Sequence, residues 1–574
     1  MLLDHLVTPN EIMEILKARF PNFQYRPHQL EAIMLSLDAI FNKDKKRVVL
    51  SLETGTGKSW VAVQISAVYT ELIQRYQEQA SEDDPKYADE SLILTKTILL
   101  QNQYIDDFQI HGMKKLISAT NFDCYTEEDT GIPRSEKHHA NCRYSKTDNM
   151  CSYRPAQQAY IHSKLKNLNY AFFFTGFQFF NTDGLLVVDE AHNFEEACIA
   201  SIAFDLNLIK LARELLEYEE DLDDRLGVPV TSIKALTKHY ASQVSLALRS
   251  AMRKINIEIE NKTNEIKAET LQASLEGRQI ADWARALNRE IEKTLQPRVN
   301  AYSSLAFKLD VLVGSNFDEW VIEWDKEKYQ FALKPVFIPR EYYNQLFGRP
   351  QAIIFMSATA ERVKDSLGLT DEDTFVYNGD YIFPLENRPF FAVTGMPKLN
   401  KDTFESAFPD YVKIIDSIIS KYPADTNVII HSVSYVNANK YKELSALKDR
   451  IFIPTTEEIR KLKEILKPGT ICVSPSITEG VDLGKGLAAV NIFMKCPYPF
   501  LGDPWVVKKK DMDAGWYAYA TVLAIIQGSG RGVRSSTDKS YTFMLDPTFG
   551  WLLGQVKRYV PNWFFNTMKE LPVK

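Results

Sequence analysis

The chain has 574 residues, of which 45% are hydrophobic and 25% are charged, a composition typical of globular proteins that excludes a disordered or fibrous chain. Its formal net charge of −7 excludes a surface coated in positive charge, although it is compatible with a local basic groove for nucleic acid. Six cysteines are too few for a disulfide scaffold, and no run of residues approaches the roughly 20 apolar positions of a membrane-spanning helix.

The first residues do not have the pattern of a secretion signal. They are Met1-Leu2-Leu3-Asp4-His5, with an acidic residue where a signal would carry basic ones. We therefore expect a soluble, cytoplasmic protein without a membrane segment.

Five short apolar runs along the chain each end at a polar cluster. Runs of this length, rich in β-branched residues, predict strands that are buried on both faces, as in the parallel sheets of α/β proteins. In such sheets ligands bind beyond the carboxyl ends of the strands, so we expect the polar clusters to form one site. The runs are 48–50, 185–188, 353–356, 428–430 and 471–473.

The first polar cluster predicts a phosphate-binding loop. Thr54-Gly55-Thr56-Gly57-Lys58-Ser59 follows a predicted strand and precedes a predicted helix over 59–75. Glycines let backbone N–H groups turn toward phosphate oxygens, and the N-terminus of the helix adds a favourable dipole. Lys58 can then reach the β- and γ-phosphates, while the Ser59 hydroxyl can bind Mg²⁺. The sequence thus predicts a site for ATP and Mg²⁺.

Two later clusters supply the other groups that phosphoryl transfer needs. Asp189, at a predicted strand end, can hold the Mg²⁺, and Glu190 can orient or deprotonate the attacking water. Near the end of the chain, Arg531 and Arg534 are three positions apart. As arginine fingers they would stabilise the charge that develops on the γ-phosphate, so ATP hydrolysis is the predicted chemistry.

Taken in chain order, these motifs resemble those of superfamily 2 helicases. The shared set is Gly55-Thr56-Gly57-Lys58-Ser59, Asp189-Glu190-Ala191-His192, Ser357-Ala358-Thr359 and the segment 527–534. Further segments are similar to the XPD/DinG branch, which is Rad3-like and carries iron–sulfur clusters: Tyr25-Arg26-Pro27-His28-Gln29, Leu94-Thr95-Lys96-Thr97, Asn169-Tyr170, 474–482 and Leu545-Asp546-Pro547. The motifs span residues 25–547, so the resemblance covers nearly the whole chain.

The resemblance implies an α/β fold with two RecA-like P-loop motor domains and ATP in the cleft between them. ATP would favour closure by contacting Lys58 on one side and Arg531 and Arg534 on the other, and hydrolysis would let the domains reopen. Repeated closure would drive 5′–3′ movement along single-stranded or forked DNA. A monomer is expected, and the sequence names no protein partner.

The resemblance also implies roles for individual residues. The adenine side of the nucleotide would meet Tyr25 and Gln29. Residues at the cleft would be Gly480 and Asp482 and, from the second motor domain, Gln527, Arg531 and Arg534. Coupling of nucleotide state to DNA grip would involve His192, Ser357 and Thr359. Contacts to the sugar–phosphate backbone, which suit sequence-independent binding, would come from Thr95, Lys96 and Ser434.

Two inserts are predicted to interrupt the first motor domain. Its parts are expected at 1–111, 168–205 and 336–375, and the second motor domain at 376–574. A cysteine-bearing insert would occupy 112–167, and a helical arch insert 206–335.

The second insert is predicted to be helical. Between Val230 and Gln296 there is no proline and a single glycine, Gly277, and apolar residues recur at helical spacing. A long antiparallel arm fits this pattern, either as an interaction arm or, by the resemblance, as an Arch domain that closes over the translocated strand. Segments 320–324 and 329–334 predict a hairpin that returns to the first motor domain.

The first insert contains three clustered cysteines, Cys124, Cys142 and Cys151. The resemblance implies a [4Fe–4S] cluster here, but on four cysteines, and the fourth is missing. His139 stands three positions before Cys142, a spacing compatible with joint ligation. Three interpretations are open: a cluster with an unusual fourth ligand, a remnant without metal, or a zinc site.

We therefore expect an ATP-dependent DNA helicase or translocase. One alternative is a DEAH-type RNA-directed ATPase, against which the arch and the cysteine insert count. The other is a nucleic-acid-binding effector without unwinding, against which the intact residues Lys58, Asp189 and Glu190 count.

Overall fold

Two parallel β-sheets of seven strands each organise the chain, which confirms the predicted α/β fold. The computed structural model describes residues 6–81, 84–118, 121–122, 153–176, 183–475, 477, 486–530, 532–533 and 535–573. Within these residues no helix has the length and apolarity that crossing a bilayer requires.

The strands, numbered in chain order, are β1 Arg47–Ser51, β2 Ser91–Thr95, β3 Lys114–Lys115, β4 Leu165–Asn169, β5 Leu185–Asp189, β6 Phe204–Asn207, β7 Trp320–Asp325, β8 Gln330–Pro335, β9 Ala352–Ser357, β10 Thr374–Asn378, β11 Phe390–Thr394, β12 Val428–His431, β13 Ile451–Phe452, β14 Ile471–Ser474, β15 Val490–Phe493, β16 Tyr541–Met544 and β17 Met568–Pro572. All five apolar runs of the sequence form strands, namely β1, β5, β9, β12 and β14.

The α-helices lie between these strands, singly or in groups. They are Pro9–Arg19, Gln29–Phe41, Lys58–Gln79, Ile98–Phe108, Tyr153–His162, Tyr170–Gly176, Phe194–Ile202, Leu208–Leu215, Leu222–Leu226, Lys238–Leu275, Asp282–Glu290, Gln296–Gly314, Arg340–Phe347, Val363–Ser366, Phe404–Ile419, Tyr435–Leu444, Thr456–Arg460, Leu462–Ile465, Pro504–Met512, Ala514–Gly530, Phe549–Gln555 and Asn562–Thr567.

The first sheet has the strand order β10-β1-β9-β5-β2-β4-β3. Its central strands are buried on both faces because their apolar side chains alternate between two cores. Val48 and Leu50 of β1 pack into one core, while Val49, paired with Phe355 of β9, packs into the other. We call the part of the chain built on this sheet the first motor domain.

The second sheet has the order β13-β14-β12-β15-β16-β11-β17, again with parallel pairing throughout. Val428 and Ile430 of β12 pack on one face, and Ile429 between them packs on the other. We call the part built on this sheet the second motor domain. The phosphate loop follows β1 of the first sheet, so the two sheets provide the two sides of the predicted cleft.

Residues 208–314, which we call the helical arm, lie between β6 and β7. The helix Lys238–Leu275 is 38 residues, or about 57 Å, long and packs antiparallel to the helix Gln296–Gly314. Arg249 pairs with Asp310 near the base, and Lys262 with Glu290 at 2.7 Å farther out. At the base, β6, β8 and β7 form an antiparallel sheet, which confirms the predicted hairpin.

The interval 112–167 also contributes to the first sheet. Strands β3 and β4 fall largely inside it and pair with each other, and β4 pairs with β2. Residues 119–120 and 123–152 lie outside the described part of the chain.

Candidate active site

The loop after β1 has the geometry of a phosphate cradle. Gly55 and Gly57 have φ values of 88° and 82°, in the region that glycine adopts without strain. The helix Lys58–Gln79 begins at the end of this loop, with Lys58 and Ser59 half-buried in its first turn. Backbone N–H groups and the positive end of the helix therefore face the same space, which favours a bound phosphate.

The first residue of the helix Gln29–Phe41 supports this loop through hydrogen bonds. The Gln29 amide donates to the Thr56 carbonyl at 2.7 Å, and its oxygen accepts from the Arg26 backbone N–H at 2.8 Å. A Cβ on Gly57 would lie 2.6 Å from Gln29 Nε2, so only glycine fits there. Gln29, expected on the adenine side, is buried and supports the phosphate loop through its amide nitrogen, while its amide oxygen is bonded to Arg26. Tyr25, expected beside it, is half-buried, and burial raises its pKa.

Asp189 ends β5 and is 2% exposed. Tyr104 donates to its Oδ2 at 2.8 Å, and the Glu190 backbone N–H donates to its Oδ1 at 2.9 Å. Burial and the charge of Glu190 raise the pKa of Asp189 to about 6, while the charge of Lys58 opposes this shift. Two carboxylates beside one lysine and the Ser59 hydroxyl form an oxygen donor set of the kind that Mg²⁺ prefers, so these residues fit the predicted metal and nucleotide.

A chain of polar contacts leads from Glu190 across the cleft. His192 Nδ1 lies 3.4 Å from Glu190 Oε2 and 2.7 Å from Ser357 Oγ. The amide nitrogen of Gln527 donates to His192 Nε2 at 2.7 Å and lies 3.5 Å from Thr359 Oγ1. The amide nitrogen of Asn193 is 2.6 Å from the same ring nitrogen. Because amide nitrogens only donate, the neutral ring carries its proton on Nδ1 and donates it toward Ser357.

The coupling residues predicted from the sequence are thus brought together. Ser357 and Thr359 lie at the end of β9 in the first motor domain, and Gln527 lies in the helix Ala514–Gly530 of the second. The network connects the residue next to Asp189 with the second motor domain through a single imidazole ring.

A second contact between the motor domains was not anticipated from the sequence. Lys509, 2% exposed, donates to Glu195 Oε1 at 2.6 Å. Its ammonium group also lies 5.2 Å and 5.4 Å from the ring centroids of Trp505 and Trp516. Glu195 lies in the first turn of the helix Phe194–Ile202, three residues after His192, so this ion pair joins the catalytic edge of the first sheet to the helix Pro504–Met512.

The three residues predicted to contact nucleic acid differ in their surroundings. Thr95 is fully buried, and its hydroxyl donates to the Leu168 carbonyl at 3.3 Å. Its side chain is therefore covered in this structure, and its contact with nucleic acid stays a prediction. Ser434 caps the helix Tyr435–Leu444 by accepting from the Asn437 N–H, at a half-buried edge. Lys96 donates to Asn193 at 3.0 Å and borders a large cavity.

That cavity has a volume of ≈1030 Å³ and lies between the first motor domain and the helical arm. The motor-domain side contributes Lys96 and the rings of Tyr170 and Phe174, and the arm contributes Asn300 and Phe307 from the helix Gln296–Gly314. Its lining thus combines a cationic group, aromatic rings and polar side chains.

Several predicted site residues lie outside the described residues. They are Gly480, Asp482, Arg531 and Arg534 of the cleft and Cys124, Cys142, Cys151 and His139 of the predicted metal site. In the described ranges, no group of three or more His, Cys, Asp or Glu is arranged to hold a metal ion. The cysteines that are described, Cys198, Cys472 and Cys496, are buried free thiols. Cys472 lies in β14 as expected, whereas Cys496 follows β15.

Two family models match the chain. The model described as type III restriction enzyme, res subunit, matches residues 22–221, and the model described as helicase C-terminal domain matches residues 415–567. The first covers the phosphate loop and Asp189, and the second covers Gln527.

Solved structures of XPD helicases share the fold. One structure, named XPD helicase, has a TM-score of 0.56 at 13% identity and covers 96% of this chain and 100% of that chain. The structure of S. tokodaii Xpd4 has a TM-score of 0.53 at 12% identity and covers 95% of this chain and 99% of that chain. Comparison with curated proteins gave no significant match. The chain thus shares the XPD fold, and its two ends match a restriction-enzyme res subunit model and a helicase C-terminal model.

Proposed function

We propose that this chain, an ATP-hydrolysing nucleic-acid helicase of superfamily 2 with the XPD fold, moves along single-stranded DNA in the 5′–3′ direction. The observation that carries the proposal is the path of polar contacts Glu190–His192–Gln527 across the cleft. Such a path lets the state of the nucleotide in one motor domain bias the position of the other.

The hydrolytic roles follow from the surroundings of each side chain. Lys58 binds the phosphates, and the Ser59 hydroxyl and the Asp189 carboxylate would hold Mg²⁺, which when bound neutralises phosphate charge. Glu190 orients the attacking water and accepts its proton. The ring of His192, which Ser357 and Gln527 hold in place, positions the Glu190 side chain at the cleft. Arg531 and Arg534 are proposed to reach the γ-phosphate from the second motor domain.

The cavity beside the helical arm is proposed as the path of the single strand. Lys96 would contact a phosphate, and Phe174 and Phe307 would stack on bases, the combination by which single strands are held without sequence preference. The helical arm would then close over the strand as an Arch domain.

The cysteine insert is proposed to hold metal through Cys124, Cys142 and Cys151, with His139 as the fourth ligand. Three thiolates and an imidazole suit either an iron–sulfur cluster or zinc. No step of ATP hydrolysis depends on this site. Iron and zinc contents of anaerobically purified protein, together with its visible absorbance, test this part, and absence of both metals would refute it.

The function itself is tested by phosphate release in the presence of single-stranded DNA or single-stranded RNA. We expect stimulation by DNA, and displacement of a labelled strand from a duplex with a 5′ tail but not a 3′ tail. Lys58→Ala is the control that separates ATP-driven displacement from passive melting. Stimulation by RNA alone would favour the RNA-directed ATPase, and binding without hydrolysis would favour the effector.

A further inference from the structure

Arg388 occupies the cleft between the motor domains, and its sequence context gave no reason to expect it there. It precedes β11 of the second sheet by two residues and is 7% exposed. Its Nη1 lies 3.7 Å from Oε2 of Glu53, the residue that immediately precedes the phosphate loop of the first motor domain. Both side chains are 6% exposed, so the ion pair is buried at the interface.

The second motor domain fixes the position of this guanidinium group. It lies 4.0 Å from the ring centroid of Trp563 and 5.0 Å from that of Tyr381, and these two rings stack on each other at 5.3 Å. A Cβ on Gly530 would lie 3.0 Å from Arg388 Nη2. Arg388 is therefore held in an aromatic slot directly against the residue that precedes Arg531.

The carboxylate that faces Arg388 has a second cation beside it. Burial raises the pKa of Glu53, and the charges of Arg388 and Lys58 oppose this shift, so Lys58 of the phosphate loop acts on the same carboxylate. A second buried carboxyl group, Glu361, lies near enough to Glu53 for the charge of Glu53 to raise its pKa. The cleft therefore places the Glu53 carboxylate opposite the two cations that a triphosphate would attract.

Resting on the function proposed above, we propose that the Glu53 carboxylate competes with nucleotide phosphate for Arg388, and that Arg388 transfers to the triphosphate when ATP binds. A polyphosphate carries more negative charge than one carboxylate and accepts two parallel hydrogen bonds from a guanidinium group. Arg388 therefore binds the polyphosphate more strongly than it binds Glu53. Because Arg388 is anchored in the second motor domain, its transfer draws that domain toward the nucleotide. Arg388 is thus a further arginine of the proposed ATP site.

The test measures binding of a non-hydrolysable ATP analogue to four forms of the full chain, without nucleic acid. Glu53→Gln removes the competing charge, and we expect about fivefold tighter binding. Arg388→Gln is expected to bind about tenfold more weakly. In the double variant the gain from Glu53→Gln should vanish, because Glu53 then no longer competes for an arginine. Glu269→Gln, which breaks an ion pair with Arg278 in the helical arm, is the matched control and should bind like the unaltered chain.

Arg388→Lys is a second variant for the case that Arg388→Gln does not fold, because lysine keeps the positive charge opposite Glu53. Lysine cannot stack in the slot or form two parallel hydrogen bonds, so an intermediate loss of affinity is expected. Binding by Glu53→Gln that is unchanged or weaker, or normal binding by Arg388→Lys and Arg388→Gln, would overturn this inference. If the unaltered chain itself bound no analogue, the proposed function would fail instead, so the two failures are distinguishable.

Discussion

Replacement of Glu361 by glutamine is expected to stabilise the protein, and only at high pH. Glu361 follows Thr359 closely at the end of β9, where Ser51 donates to its Oε1 at 3.1 Å. Its Oε2 has no hydrogen-bond partner among the described residues. Burial raises the pKa of Glu361 from 4.5 to about 7, and the charge of Glu53 acts in the same direction. The carboxyl group is thus protonated in the folded protein at pH values where it is ionised in the unfolded chain.

The sign and size of the effect follow from proton linkage. A group whose pKa is raised by folding adds stability below pH 4.5, and this contribution is lost as the pH rises to about 7. At about 1.4 kcal/mol per pKa unit, the ionised Glu361 lowers the free energy of unfolding by about 3 kcal/mol above pH 7. Glutamine never ionises. The free energy of unfolding of Glu361→Gln should therefore exceed that of the unaltered chain by up to about 3 kcal/mol at pH 8 and should equal it near pH 4.5.

Proton release is the sharpest assay, because a chain with two motor domains and an arm need not unfold in one step. On unfolding in guanidinium chloride near pH 5.7, midway between the two pKa values, the unaltered chain should release close to one proton more than Glu361→Gln. The midpoint temperature of the first thermal transition should also be higher for Glu361→Gln, and the difference should grow from pH 4.5 to pH 8. Glu443→Gln, on an exposed helix position, is the control. Equal proton release, or a pH-independent difference in melting, would refute the buried-carboxyl argument.

Three further changes test the cleft. Lys58→Ala should abolish phosphate release while the folded protein still binds single-stranded DNA in a filter assay, and normal turnover would contradict the phosphate-loop assignment. Gln527→Ala removes the donor to His192 and should lower the stimulation of hydrolysis by nucleic acid roughly tenfold at similar basal rate, whereas full stimulation would remove the proposed coupling path. Lys509→Met leaves the largely covered Glu195 without its cation, which should destabilise the domain contact by about 2–3 kcal/mol. Melting should recover in the double variant with Glu195→Gln, and no recovery would contradict the ion-pair argument.

The sequence by itself determined the five strands that end at polar clusters and the local shape of the phosphate loop. Apolar runs such as 48–50 and 185–188 form strands because their side chains must be buried on both faces of a sheet. The loop 54–59 follows from local backbone requirements, since Gly55 and Gly57 adopt positive φ and the helix begins at Lys58. These features depend on neighbours along the chain, and a linear pattern therefore reveals them.

The tertiary structure decided which of the predicted side chains can reach a ligand and which residues from distant parts of the chain contact each other. Thr95 belongs to a helicase-like motif, yet its neighbour β4 covers it, and the Gln29 amide is used by the phosphate loop. Glu53 and Arg388 are 335 positions apart and meet only because the two sheets face each other across the cleft. Charge pairs of this kind leave no periodic or local signal, because their energy depends on burial and distance rather than on sequence spacing.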